Sequence, residues 1–168
     1  ANTTASNNTA VGSTALYVNT TGASVTAVGA DALVANTTGA NNTAVGYSSL
    51  AANTTGEQNI AIGNYALDAN ITTNANTAVG YSALGANTAA NNTAVGASAL
   101  KVNTTGASNT AVGFQALDAN TTASNNTALG YDSLSANTTG SSNVAVGTAA
   151  LRSNTTADNN TAVGKSAL

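Results

Sequence analysis

Residues 42–58 read N-T-A-V-G-Y-S-S-L-A-A-N-T-T-G-E-Q, and at Asn59 the pattern begins again as N-I-A-I-G-N-Y-A-L-D-A-N-I-T-T-N-A. The Gly that closes T-A-V-G recurs at Gly12, Gly29, Gly46, Gly63, Gly80, Gly96, Gly113, Gly130, Gly147 and Gly164. Each interval is 17 residues except Gly80 to Gly96, which is 16. Four places after every anchor stands Leu, from Leu16 to Leu168. Seven places after nine of the anchors stands Asn, from Asn19 to Asn154, usually opening N-T-T-G or N-T-T-A. A fixed period of this kind is the signature of stacked repeats.

The unit does not read as a helix. It carries Gly, Asn and paired Thr, all poor interior helix formers, and no apolar stripe at 3.6 spacing runs through it. Alternation fits better: in T-A-V-G the Thr and Val share one face, and Ala and Gly share the other. The sequence therefore predicts an all-β parallel β-solenoid, one repeat of about 17 residues per coil and about ten coils. Residues 1–168 form a single repeat array with no atypical terminal repeat, which reads as a segment of a longer fibre. Ten rungs at the usual ~4.8 Å spacing give a rod roughly 45–50 Å long.

Columns follow from the period. The Val slot holds Val in eight copies, Ile62 in one and Leu129 in one, so Val45, Ile62 and Val79 are expected in the core beside Leu50, Leu67 and Leu84. The Ala/Gly face is expected to lie close against backbone of the same coil or against a neighbouring chain. N-T-T-G has turn chemistry, with Asn and Gly tolerating left-handed angles. A second Asn precedes most T-A-V-G motifs, at Asn42, Asn59, Asn76 and their equivalents, and is expected to form an amide ladder. The one-residue deletion falls between Leu84 and Thr93, in a turn, where it leaves strand faces unflipped.

The variable slots carry everything charged or aromatic. All nine charged residues avoid the Thr, Ala, Val, Gly and Leu columns. Asp118 and Lys101 share a slot in adjacent units, which predicts a surface ion pair. Tyr47, Tyr81, Phe114 and Tyr131 share the slot after the anchor Gly, while Tyr65 and Tyr17 take other slots. That column is a candidate surface-contact strip for carbohydrate, or a set of rings packing on one another or on a partner chain. The N-T-T triplets at Asn19, Asn36, Asn53, Asn103, Asn120, Asn137 and Asn154 match the N-glycosylation sequon. The bland reading, that turns want Asn and strands want Thr, explains them without a glycan.

Composition narrows the function. Charged residues are only 5% of the chain, yet 42% is hydrophobic and regularly spaced, which separates it from disordered tracts. Three basic residues cannot neutralise a nucleic-acid backbone. Apolar runs of three or four residues are too short to insert into a membrane, and the chain opens without signal-peptide patterning. No His or Cys is present, and the only lysines, Lys101 and Lys165, sit in solvent slots, so no activated nucleophile is expected. Asp68 and Asp118 share a slot three units apart, too far for a carboxylate pair. No catalytic residue, cofactor or metal site is expected. A chain without Met, Cys, Trp or His offers little to oxidants, which suits life outside a cell.

At T-A-V-G-x-x-A-L the sequence resembles the head repeats of trimeric autotransporter adhesins, with N-I-A-I-G (Asn59–Gly63) and N-V-A-V-G (Asn143–Gly147) as nearest matches. The full unit is also similar to tandem repeats of phage tail-fibre and bacterial surface-fibre proteins. The resemblance covers essentially the whole chain. It implies a left-handed parallel β-roll, often homotrimeric, on an extracellular, cell-surface or virion fibre. The expected function is thus a structural or adhesive fibre module without catalysis, self-associating as a homotrimer or an end-to-end filament and meeting a carbohydrate or other cell-surface receptor. The alternative is an ice-binding solenoid that uses its ranks of Thr.

Overall fold

The computed structural model describes residues 3–168. It contains ten strands of three residues each: β1 (Thr9–Val11), β2 (Thr26–Val28), β3 (Thr43–Val45), β4 (Ile60–Ile62), β5 (Thr77–Val79), β6 (Thr93–Val95), β7 (Thr110–Val112), β8 (Thr127–Leu129), β9 (Val144–Val146) and β10 (Thr161–Val163). They form one parallel sheet in chain order. Like pairs with like throughout: Thr43 with Ile60, Ala44 with Ala61, Val45 with Ile62. The chain is a β-solenoid with one repeat per rung.

The rungs are tied outside the strands as well. Leu50 N–H donates to the Ala66 carbonyl at 2.9 Å, and Gly46 N–H donates back to the Val28 carbonyl at 2.8 Å. Each coil is therefore satisfied by its neighbours rather than by itself, as in any solenoid.

The core differs from the expected one in a specific way. Leu50, Leu67 and Leu84 are fully buried, and so are the strand alanines Ala44, Ala61 and Ala78. Val45 and Val79 are only half-buried, and Ile62 is 40% exposed. The strand alternates as expected, but its Ala side faces inward and its Thr/Val side outward. The reason is the small bore of a 17-residue coil. One Leu, two small residues and two Asn side chains per rung already fill the interior, so the strand can contribute only a methyl group. At close-packed density a Val there would be overpacked.

The tight bends are also placed differently. Left-handed backbone occurs at the Leu column (Leu50 φ 52°, Leu67 φ 51°), two residues before it (Ser48, Tyr65) and just before the second Asn (Asn41, Gln58), not at the Asn of N-T-T-G. Each such residue costs of the order of 1–2 kcal/mol relative to ordinary backbone. The coil needs them to close within its short perimeter, and the turn puts Leu inside.

All the anchor glycines but Gly164 are required twice over, by backbone angle and by contact. Gly113 has φ +137°, and a Cβ there would lie 2.4 Å from the Gly130 carbonyl oxygen of the next coil. This is the close backbone approach expected of the Ala/Gly face, made by the next coil of the same chain.

Both Asn columns turn inward. In the first, Asn36 Nδ2 donates to Asn19 Oδ1 at 2.9 Å and Asn53 Nδ2 to Asn36 Oδ1 at 2.8 Å, and each also donates to the carbonyl three residues on. The amide ladder thus runs through the N-T-T-G column, in one run from Asn19 to Asn70 and a second from Asn87 to Asn154. In the second column the amide serves mainly backbone: Asn42 Oδ1 accepts from Asn59 N–H at 2.9 Å while its Nδ2 donates to the Gly56 carbonyl at 2.7 Å. Among the described residues no buried side-chain nitrogen or oxygen lacks a partner.

The short unit is absorbed in its turn. Asn87 donates to the Ala89 carbonyl two residues on at 2.7 Å, where Asn103 reaches Gly106 three residues on at 2.8 Å. The strand register resumes with Thr77 opposite Thr93. The local cost is visible in the ladder: Asn70 Oδ1 accepts from the Thr73 hydroxyl, and the chain of amides restarts where Asn103 donates to Asn87 at 2.7 Å.

Candidate functional site

Two surfaces stand out from the regular coil. The first is the outward face of the sheet. Its two columns are Thr (with Ile60 and Val144) and Val (with Ile62 and Leu129), at identical register in ten rungs. No charged residue enters either column. Ile60, Ile62 and Leu129 are among the exposed large hydrophobic residues. The face is uncharged over ten rungs, with one column mostly of Thr beside one that is wholly apolar, and a continuous apolar column of that length is unusual on the surface of a single chain.

The second surface is aromatic. Tyr47, Tyr81, Phe114 and Tyr131 all point outward from the slot after the anchor Gly, but they do not form one strip. Tyr65, one slot along, fills the rung between Tyr47 and Tyr81 and meets both edge-on, with ring centroids 5.4 Å and 6.0 Å away. Phe114 and Tyr131 make a separate stacked pair at 5.6 Å and 12°. Ala97 occupies the slot between the two groups. Tyr65 is the residue that slot-counting passes over. The signal for it was Asn64, which takes the aromatic slot in that unit and binds the Tyr47 N–H through Oδ1 at 2.9 Å.

Charges are sparse and local. Among the described residues the one ion pair is Arg152 with Asp132, at 3.0 Å. Lys101 and Asp118 lie in adjacent coils without closing to an ion pair. Asp132 is buried, and Arg152 covers it from the next coil. Burial pushes the Asp68 carboxyl above the usual carboxylate range. Burial and then the Asp132 charge do the same to Asp118, with Lys101 a smaller opposing influence. No group of three or more His, Cys, Asp or Glu gathers among the described residues, and no helix is long and apolar enough to cross a membrane.

The sequons take on a physical reading. Asn19, Asn36, Asn53, Asn103, Asn120 and Asn137 are fully buried. The Nδ2 that would carry a glycan points into the coil, so the folded rod has no room for a sugar at these six positions.

Comparison of the chain with protein-family models, curated proteins and solved structures finds no match.

Proposed function

We propose that this chain is a structural module of an extracellular or virion fibre. It acts by length, stiffness and repeated display rather than by catalysis, and copies associate side by side through the outward Thr/Val face of the sheet as a homotrimer. The observation that carries the reading is the unbroken uncharged face: ten rungs of Thr, Val, Ile and Leu side chains at one register, with Ile62 and Leu129 exposed. Burying such a strip gains about 25 cal/mol per Å² of apolar surface. The resemblance of T-A-V-G-x-x-A-L to adhesin-head and tail-fibre repeats supports the same role and location. A receptor of carbohydrate or cell-surface type belongs to the adhesive form of this reading.

The test is molar mass in solution by light scattering, with electron microscopy of the same sample. Three chains per particle and a rod outline are expected. Replacing Val45 and Ile62 together by Lys is expected to give monomers with an unchanged circular dichroism spectrum. A wild-type chain that stays monomeric at high concentration sinks the association.

The ice-binding alternative draws on the same face, because Thr43 and Val45 project together and Thr recurs at that register on eight of the ten strands. The Thr rank is broken by Ile60 and Val144, and the hydroxyls of a second rank, such as Thr37 and Thr104, donate to carbonyls of the next coil. Thermal hysteresis at millimolar protein is its test; its absence eliminates this reading.

A further inference from the structure

Five places after the anchor Gly runs a column that reads Tyr17, Val34, Ala51, Asp68, Gly85, Lys101, Asp118, Ser135 and Arg152. Gly85 is its only glycine, and the fold does not demand one there. Its φ lies outside the left-handed region, and a Cβ would meet its nearest atoms, Asp68 Oδ1 and the Ser82 carbonyl, at an ordinary 3.5 Å. The contrast with Gly113 is direct. One glycine is imposed by the backbone; the other leaves a gap that a side chain would otherwise fill.

The gap has defined walls. Ala69 N–H donates to the Gly85 carbonyl at 3.2 Å and Ala86 N–H to the Lys101 carbonyl at 3.0 Å, so Asp68, Gly85 and Lys101 are stacked in three successive coils. Gly85 thus sets a notch between a carboxylate on one rung and an ammonium two rungs further on. Tyr65, Tyr81 and Ser82 flank it on one side, and it is a shallow hollow largely open to solvent. The Tyr65 ring is braced edge-on by Tyr47 and Tyr81, which holds the aromatic wall in place.

We infer that this notch is a binding site for one neutral hexopyranose unit of a glycan. A shallow, open hollow of this kind suits a single sugar ring held on one face. A pyranose carries an apolar C–H face that suits a Tyr ring, and hydroxyls that both donate and accept. Asp68 accepts from them, the Lys101 ammonium donates to them, and Ser82 does either. Asp68 and Lys101 give the lining one charge of each sign, so it carries no net charge that would select an anion or a cation. Asp68 is already partly desolvated, so a sugar hydroxyl replaces little bound water there. None of these residues belongs to the Thr/Val face, and the site is independent of the fibre reading.

The test uses the methyl pyranosides of glucose, galactose and mannose with the full chain. Saturation-transfer NMR reports contact, and tyrosine fluorescence gives the titration, there being no Trp to mask it. At least one glycoside is expected to bind saturably in the millimolar range. Gly85→Leu, which fills the notch, is expected to weaken it tenfold or more with no change in melting temperature. Should Gly85→Leu unfold, Asp68→Asn and Tyr81→Ala serve instead, each expected to weaken binding about tenfold, while Tyr131→Ala leaves it unchanged. No saturable binding of any of the three glycosides, or binding indifferent to both Gly85→Leu and Tyr81→Ala, overturns the assignment. A wild-type chain that stays monomeric yet binds sugar marks failure of the fibre reading alone, and a trimer that binds none of the three glycosides marks failure of this one alone.

Discussion

Asn120 donates through Nδ2 to Asn103 Oδ1 at 2.8 Å, from one coil to the coil before it, and through the same nitrogen to the Ala123 carbonyl at 3.0 Å. Both asparagines are fully buried. The pair shows what holds adjacent rungs together inside the coil: an amide that is at once ladder rung and turn brace. Asn120→Ala would leave Asn103 Oδ1 without its donor and remove one acceptor from Asn137. We expect a loss of about 2–3 kcal/mol in urea unfolding, from an unpaired buried polar atom plus a small cavity. Asn154→Ala, in the same column but partly exposed, is expected to cost less than about 1 kcal/mol. Equal costs at the two positions would show that the ladder contributes nothing particular.

The inverted strand face makes a paired prediction. Leu67→Ala empties the core column and is expected to cost about 2–5 kcal/mol. Ala61→Val forces a larger side chain into the filled bore and is expected to cost about 1–3 kcal/mol. Ile62→Thr, on the outward face, is expected to change the stability of the single chain by less than about 1 kcal/mol, as surface substitutions do. Denaturant midpoints of the three variants, measured below the concentration at which chains associate, give the order. A larger loss for Ile62→Thr than for Leu67→Ala would return the Val column to the interior.

Gly113→Ala and Gly164→Ala separate backbone strain from steric contact. Both positions have φ near +130°, a region that L-residues avoid, with +137° and +128° respectively. At Gly113 the new Cβ meets a carbonyl oxygen at 2.4 Å, whereas at Gly164 nothing stands nearer than 3.9 Å. Gly164→Ala is expected to cost about 1–3 kcal/mol, the backbone share alone. Gly113→Ala is expected to cost more, because two coils must separate, and to lower the amide protection of both neighbouring rungs in hydrogen exchange. Identical losses would mean that the rungs part without resistance.

Asp118 gives the pH dependence. Its carboxyl titrates above the usual range in the folded chain, chiefly through burial and next through Asp132. A carboxyl with a raised folded pKa binds its proton more firmly when folded than when unfolded. Stability therefore falls as pH rises through the window between the unfolded and folded values, and the loss is complete above the folded one. Asp118→Asn is expected to raise the melting temperature at pH 7 by a few degrees at most. The gain should vanish once the pH drops below the carboxylate range. An asparagine variant that is less stable at neutral pH would show that the backbone hydrogen bonds to the carboxylate and Lys101 together outweigh the burial.

The amino-acid sequence alone determined the rung. A period of 17 with one Leu and one anchor Gly in every copy leaves like over like as the consistent stacking, and parallel register follows. It also determined what keeps out of the fixed columns: no charged residue enters them, because stacking would multiply any buried charge along the rod, and Asp132, buried beneath Arg152, sits in a variable slot. The deletion near Ala89 was legible for the same reason, since only a turn can lose a residue without flipping the next strand.

Only the closed coil decided which side of the strand is inside. Alternation assigns residues to two faces but is symmetric between them, and side-chain size alone pointed to Val. The interior volume left by Leu67 and the two Asn columns admits Ala61 and not Ile62, and that volume exists only once the backbone has turned full circle. The same closure placed the left-handed bends at Leu, aimed the N-T-T-G amides inward, and brought Tyr65 between Tyr47 and Tyr81. Sequence spacing fixes what stacks; the perimeter of the turn fixes what points in.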